Sequence, residues 1–227
     1  MNILIIHYNT PELTEATIRS LNRVTEDCRV CVFDNSDERP FTAAFPNVSI
    51  VNNTRGQEID FEKALAAFPD KVANRSNWGS AKHCMSVDHC FGLFPDGFLL
   101  VDSDVLLKRD VSPLADNRFG WVGNIHTNTR RFGVEVLRII PYLCYLNVPL
   151  LQRHGISYYN PKKMWFLSQR VPDMYYDTGA WLYEECCRKD IGGRTVNLDE
   201  YALHFRHGSW REKDAQAWLN ENKDLWK

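Results

Sequence analysis

Apolar positions follow two patterns that alternate through the first half of the chain. Ile3-Leu4-Ile5-Ile6, Val30-Cys31-Val32-Phe33, Val48-Ser49-Ile50-Val51 and Phe98-Leu99-Leu100-Val101 are short runs with few or no polar interruptions. Each reads as a strand, and the unbroken run Ile3 to Ile6 marks one covered on both faces, because side chains pointing either way must leave water. Between the runs the spacing becomes helical. Thr10-Pro11 supplies a helix start, and Leu13, Ala16, Thr17, Ser20, Leu21 and Val24 then recur on one side. A second helix is predicted from Asp60 to Phe68, and a third from Asn77-Trp78-Gly79-Ser80 to about Phe91. Strand, helix, strand, strand, helix, strand predicts an α/β fold with a mainly parallel sheet and right-handed crossovers.

The alternation fades after Phe119. From there to Asn160 the pattern predicts short strands and irregular chain, then a helix over Ala180 to Arg188 and one or two short strands over Val196 to His204. Ser209-Trp210-Arg211-Glu212 is a capping box, and Ala215, Trp218 and Leu219 continue a last helix. No repeat, low-complexity tract or linker interrupts the chain, which predicts one domain over residues 1–227 that divides near Phe119.

The stretch Leu137 to Leu151 is broken by Arg138, Pro141, Asn147 and Pro149, so it reads as buried sheet or loop and not as a membrane span. The first residues are apolar too briefly, and lack the basic start, for a signal peptide, so the expected location is the cytoplasm, with peripheral attachment at the inner membrane face compatible with it.

Composition narrows the function classes. Of 227 residues 44% are hydrophobic, enough for an ordinary core, and 27 Lys+Arg against 29 Asp+Glu leave a net charge of −2. That balance excludes nucleic-acid binding by bulk electrostatics, and no polybasic tail is present to grip an acidic membrane. Seven cysteines, two of them adjacent at Cys186-Cys187, suit free thiols in a reducing compartment. Cys28-Arg29-Val30-Cys31 has no correctly spaced second pair for a structural zinc.

In open α/β sheets ligands bind beyond the carboxyl ends of the strands. Here every predicted strand ends in polar residues: His7-Tyr8-Asn9-Thr10, Asp34-Asn35-Ser36, Asn52-Asn53 and Asp102-Ser103-Asp104. The last is the sharpest. In extended chain, side chains two apart point the same way, so Asp102 and Asp104 can face one cation while Ser103 faces away. Hard oxygens suit Mn²⁺ or Mg²⁺, which can bridge a diphosphate. With 17 aspartates a DxD arises about once by chance, so its weight comes from following an apolar strand.

Asn77-Trp78-Gly79-Ser80-Ala81-Lys82-His83 opens a helix whose free N–H groups attract an anion, with Lys82 and His83 in reach of phosphate. His204 and His207 point opposite ways in extended chain, so at most one would join the acids. Asp177, in an aromatic setting before a helix, reads equally as its cap or as a general base.

Taken together these segments resemble glycosyltransferases of the GT-A fold, nearest the large family 2 group. The resemblance runs from Ile3 to about Asp110 and rests on Ile5 to Thr14, Asp34-Asn35-Ser36, Ser76 to Ala81, and Leu100 to Val105, in that order. His204-x-x-x-Gly208-Ser209-Trp210 is similar to the His-x-x-x-Gly-Ser-Trp ending of some capsular and mannosyl-type transferases, where the histidine completes a metal site; this selects His204 over His207.

The resemblance implies a nucleotide-sugar-binding half over residues 1–118 and an acceptor-side half over 119–227. It implies that Tyr8, Asn9 and Asp34 line the base, and that Asn77, Gly79 and Lys82 contact ribose and diphosphate. Asp102 would hold ribose or a metal-bound water, Asp104 and His204 would bind Mn²⁺ or Mg²⁺, and Asn124 and His126 would face the donor sugar. The implied partners are a UDP- or GDP-sugar donor and a glycan or lipid-linked glycan acceptor.

Two features depart from the family 2 pattern. The usual Glu-Asp before the acceptor helix is replaced by Tyr176-Asp177-Thr178-Gly179, and the Gln-x-x-Arg-Trp ending of processive synthases is absent, which points to single-sugar transfer. Two other readings compete. Val101-Asp102-Ser103-Asp104-Val105 also fits the nucleophile motif of haloacid-dehalogenase phosphohydrolases, and a non-catalytic nucleotide- or carbohydrate-binding module would share the fold.

Overall fold

The four apolar runs form adjacent strands, and their alternate side chains enter two different cores. A computed structural model describes residues 1–66, 78–131, 134–163, 177–205 and 212–227. Its first half contains β1 (Asn2–His7), α1 (Pro11–Val24), β2 (Arg29–Asp34), β3 (Val48–Asn52), α2 (Phe61–Ala66), α3 (Trp78–Leu93) and β4 (Phe98–Asp102). Leu4, Ile6, Cys31, Phe33, Phe98 and Leu100 pack on one face against Cys84, Met85, Val87 and Phe91 of α3. Ile3, Ile5, Val30, Val32, Leu99 and Val101 pack on the other against Ile18 and Leu21 of α1. The near absence of polar positions in β1, β2 and β4 is thus the consequence of two covered faces, whereas β3 is the edge strand of the sheet and leaves Ile50 exposed.

The second half adds β5 (Val105–Leu107), β6 (Trp121–Gly123), β7 (Ile125–Arg131), β8 (Val134–Ile139), β9 (Leu143–Leu146), α4 (Val148–Arg153), α5 (Ala180–Arg188), β10 (Gly193–Thr195), β11 (Ala202–His204), α6 (Glu212–Glu221) and α7 (Lys223–Trp226). Seven strands make one sheet in the order β10-β6-β9-β4-β1-β2-β3, in which β9 runs antiparallel to both neighbours and the other pairs are parallel. β5 with β11, and β7 with β8, form separate antiparallel pairs. This is the expected mainly parallel, mixed sheet flanked by helices.

Within Leu137 to Leu151, read from the sequence as sheet or loop, the structure contains a short helix as well. Asn147 caps α4, its side chain accepting the Leu150 amide at 3.2 Å, and proline lies in the first turn; Asn-Val-Pro was the legible signal. Over Val196 to His204 the structure has a 3₁₀ turn, Leu198–Glu200, followed by β11, while β10 lies just before that range. Asn77 and the capping residues Ser209 to Arg211 lie outside the described residues, as does His207.

All seven cysteines are free, and only Cys187 is exposed. Burial pushes the Cys31 thiol up to about 11 and the Cys186 thiol up to about 12, which suppresses the reactive thiolate. Ellman's reagent should therefore titrate about one thiol per folded chain rapidly and the remaining six only after addition of guanidinium; more than one fast thiol under native conditions would contradict this burial.

Candidate functional site

The register of the parallel strands aligns their polar ends. His7 lies opposite Asp34, Asp34 opposite Asn52, and Ile6 opposite Asp102. Just past β4, the chain passes through Ser103 and Asp104 into β5, and β5 is held along both edges. On one edge it pairs with β11, which sets His204 opposite Val105, and the Phe205 amide donates to the Asp104 carbonyl at 3.0 Å. On the other edge no strand pairs with it among the described residues, and α1 supplies hydroxyls instead. Thr17 Oγ1 donates to the Ser103 carbonyl at 3.0 Å and lies 3.3 Å from the Val105 amide; Ser20 Oγ accepts the Leu107 amide at 2.9 Å. These fully buried hydroxyls occupy the very positions that made α1 look merely amphipathic. They satisfy backbone groups that would otherwise be buried without partners.

Ser103 turns toward α1, its Oγ 3.2 Å from Thr10 Oγ1. Asp102 and Asp104 turn the other way and meet His204, which is remote in sequence. The three donor atoms lie within 4.8 Å of one another, and His204 Nε2 is 3.2 Å from Asp104 Oδ1. Tyr142 fixes the imidazole plane by stacking on it, with centroids 4.4 Å apart at 22°. A spread of 4.8 Å matches donors that each stand about 2.0–2.6 Å from one shared cation. Two carboxylates suit Mg²⁺ or Mn²⁺, and the added imidazole nitrogen favours Mn²⁺. The residues fit a divalent ion.

Basic side chains surround Asp102. His83, on α3, brings Nε2 to 3.5 Å from Asp102 Oδ1, long for a hydrogen bond, and both its ring nitrogens are buried without another partner among the described residues. Burial opposes the Asp102 charge, but His83, His204 and Arg138 together outweigh it and hold the carboxyl below the usual range.

Arg138 is also the partner of Asp177. Its Nη1 pairs with Asp177 Oδ2, while Asp177 Oδ1 accepts Ser80 Oγ at 2.7 Å and the Thr178 amide at 2.8 Å. The side chain of Asp177 does not cap α5: the N-cap is Gly179, with no side-chain bond. Gly179 is required there, because its φ is +81° and a Cβ would stand 2.1 Å from the Ile139 carbonyl. Asp177 thus ties the start of α3 to β8 and the start of α5.

The remaining expected residues divide into loop braces and open positions. Asp34 is buried, and its two oxygens accept the Ser36 and Phe41 amides at 2.9 and 2.8 Å, so it shapes the loop after β2. Asn9 adopts φ +54° and accepts the Glu38 and Arg39 amides, which secures the same loop. Tyr8 is exposed, donates to Asp37 at 2.8 Å, and has its hydroxyl pushed up to about 12 by burial and that carboxylate. Gly79 lies in the first turn of α3, where a Cβ would meet open space. The Asn124 side chain turns back to accept the Ile125 amide at 2.8 Å, and His126 is exposed on β7, opposite Arg138. Sequence reading gave Arg138 no role; a lone arginine in a mixed hairpin carries no signal before the pairing is known.

Thr17→Val keeps side-chain shape but leaves the Ser103 carbonyl and Val105 amide without their partner. It should lower stability by about 1–3 kcal/mol in urea denaturation, with Thr17→Ser close to wild type; an unaltered midpoint for Thr17→Val would show that α1 does not hold this turn.

No protein-family model matches the chain, and no curated protein matches its sequence. Solved structures do. The galactosyltransferase LgtC in complex with donor and acceptor sugar analogs aligns with a TM-score of 0.51 at 14% identity, covering 87% of this chain and 74% of that one. An active-site mutant of LgtC aligns with the same TM-score at 15% identity, covering 87% and 73%. The sheet order, the flanking helices and these alignments agree: this chain has the α/β fold of solved glycosyltransferases.

Proposed function

We propose that the chain is a metal-dependent glycosyltransferase that moves a single sugar from a nucleoside-diphosphate sugar, UDP- or GDP-linked, to an acceptor hydroxyl on a glycan or lipid-linked glycan. The observation that carries this reading is the meeting of Asp102, Asp104 and the distant His204 at the carboxyl edge of a sheet with a glycosyltransferase-type fold. Asp102, Asp104 and His204 would hold Mn²⁺ or Mg²⁺, whose chemistry is to offset the charge that grows on a departing diphosphate. Tyr142 keeps the His204 ring in place for that role, and His83 and Arg138 keep Asp102 ionised.

Glycan or polysaccharide biosynthesis is the corresponding setting. Among the described residues no helix is long and apolar enough to cross a membrane.

Asp177 stays the candidate base for an inverting reaction. Its bonds to Ser80 and Arg138 also fix the shape of the site, so its substitution has two separable effects. If it is the base, Asp177→Asn lowers kcat by about 10²–10⁴-fold and removes the acidic limb of the pH–rate profile. A retained acidic limb with a smaller loss assigns it to positioning and favours a retaining reaction.

The proposed chemistry is tested by melting temperature against UDP, GDP and their sugars, with and without Mn²⁺. A nucleotide at about 100 times its Kd adds about 2.7 kcal/mol of stability. The expected result is stabilisation by one nucleotide that requires Mn²⁺ and vanishes in Asp104→Ala, with release of free nucleoside diphosphate from the matching sugar donor. Binding without release in the presence of acceptors would support a binding module. Turnover of p-nitrophenyl phosphate with Mg²⁺, and no nucleotide effect, would support the phosphohydrolase.

A further inference from the structure

The ammonium of Lys82 is enclosed by aromatic rings. It lies 4.6 Å from the Tyr8 centroid, 5.7 Å from that of Trp78 and 5.9 Å from that of Phe61. Phe61 and Trp78 meet edge to face at 6.0 Å and 82°, so the rings form walls in different planes. The charges that act on Lys82 are Asp37, which also receives the Tyr8 hydroxyl, and Glu62. Among the described residues the ammonium has no hydrogen bond. It is a partly desolvated cation held by ring faces and by distant carboxylates, on a long flexible stem, next to His83 and hence one residue from the acid cluster.

Ring faces that attract a cation also stack a planar base. Resting on the nucleotide reading above, we propose that Lys82 is a built-in occupant of the nucleobase position: without ligand its ammonium fills the Tyr8, Phe61 and Trp78 box, and an entering base displaces it toward the diphosphate. The exchange makes base and phosphate recognition interdependent. A nucleoside displaces the ammonium and offers it nothing in return. A nucleoside diphosphate provides anionic oxygens, with which a displaced ammonium forms charge-assisted hydrogen bonds stronger than neutral ones. The box would therefore favour the diphosphate over the free nucleoside beyond simple charge attraction.

The test is calorimetric titration of the full chain in Mn²⁺ with uridine and UDP, or with guanosine and GDP where the guanine nucleotide is the one that stabilises wild type. Lys82→Ala empties the box and removes the charge. Uridine should then bind roughly 3- to 30-fold more tightly, while UDP binds more weakly, so that the preference for UDP falls by about tenfold or more. Uridine affinity that is unchanged or reduced would overturn the assignment, because a lysine that only contacts phosphate does not oppose a nucleoside. Lys82→Ser, also short and neutral, answers the same question if the alanine variant folds poorly. Wild type that binds neither nucleotide defeats the nucleotide reading itself; wild type that binds UDP, with parallel losses of both ligands in the variants, defeats only the role given to Lys82.

Discussion

The candidate site depends on one short strand pairing. β5 and β11 share three residue pairs, and through them a histidine from near the end of the chain stands beside an aspartate from its middle. Three pairs of extended residues are a weak unit in isolation. They persist here because Leu106 and Leu107 are fully buried and because Thr17 and Ser20 of α1 complete the backbone bonds on the far side of β5. Packing and polar satisfaction thus lock the turn that carries Asp102 and Asp104, and the geometry of the acids follows from the hydroxyl row of a neighbouring helix.

A second constraint is the division of labour among polar residues at the strand ends. All of them gather at one edge of the sheet, as parallel strands in register require. Many are nevertheless consumed in building loops. Asp34 secures backbone amides of the loop after β2. Asn53 accepts the Glu58 and Ile59 amides and donates to Asn35, which in turn donates to Ser86 on α3. A buried carboxylate or amide must find such partners. What is left facing outward is a smaller set, Asp102, Asp104, His204, Tyr8 and Lys82, and that remainder has the chemistry of a cation site beside an aromatic box.

The ion pair of Arg138 with Asp177 joins β8 to the start of α5, and Ser80 extends the connection to α3. Gly179 allows α5 to begin hard against Ile139, a closeness that any side chain at that position would prevent. The second half of the chain is therefore tied to the first through Ser80, Arg138 and Asp177.

Legible in the residues were the covered strand β1, the order of elements to β4, the helix over Ala180 to Arg188 and the facing of Asp102 and Asp104 away from Ser103. Those features arise from local periodicity, which any short segment displays. The helix α4 was within reach of the same reasoning through Asn147 and its proline. His204 was already singled out by the ending that carries the resemblance, and the β5–β11 pairing brings it to the acids; only the folded chain settled that Asp34 braces its loop, that Asp177 pairs with Arg138 and that Lys82 lies among three rings. The Arg138–Asp177 pair and the meeting of Lys82 with Tyr8 and Phe61 join residues distant in the chain, whose partners are chosen by packing that no local pattern encodes; the partners of Asp34 are near in sequence, but which polar strand-end residue turns inward depends on burial in the folded chain.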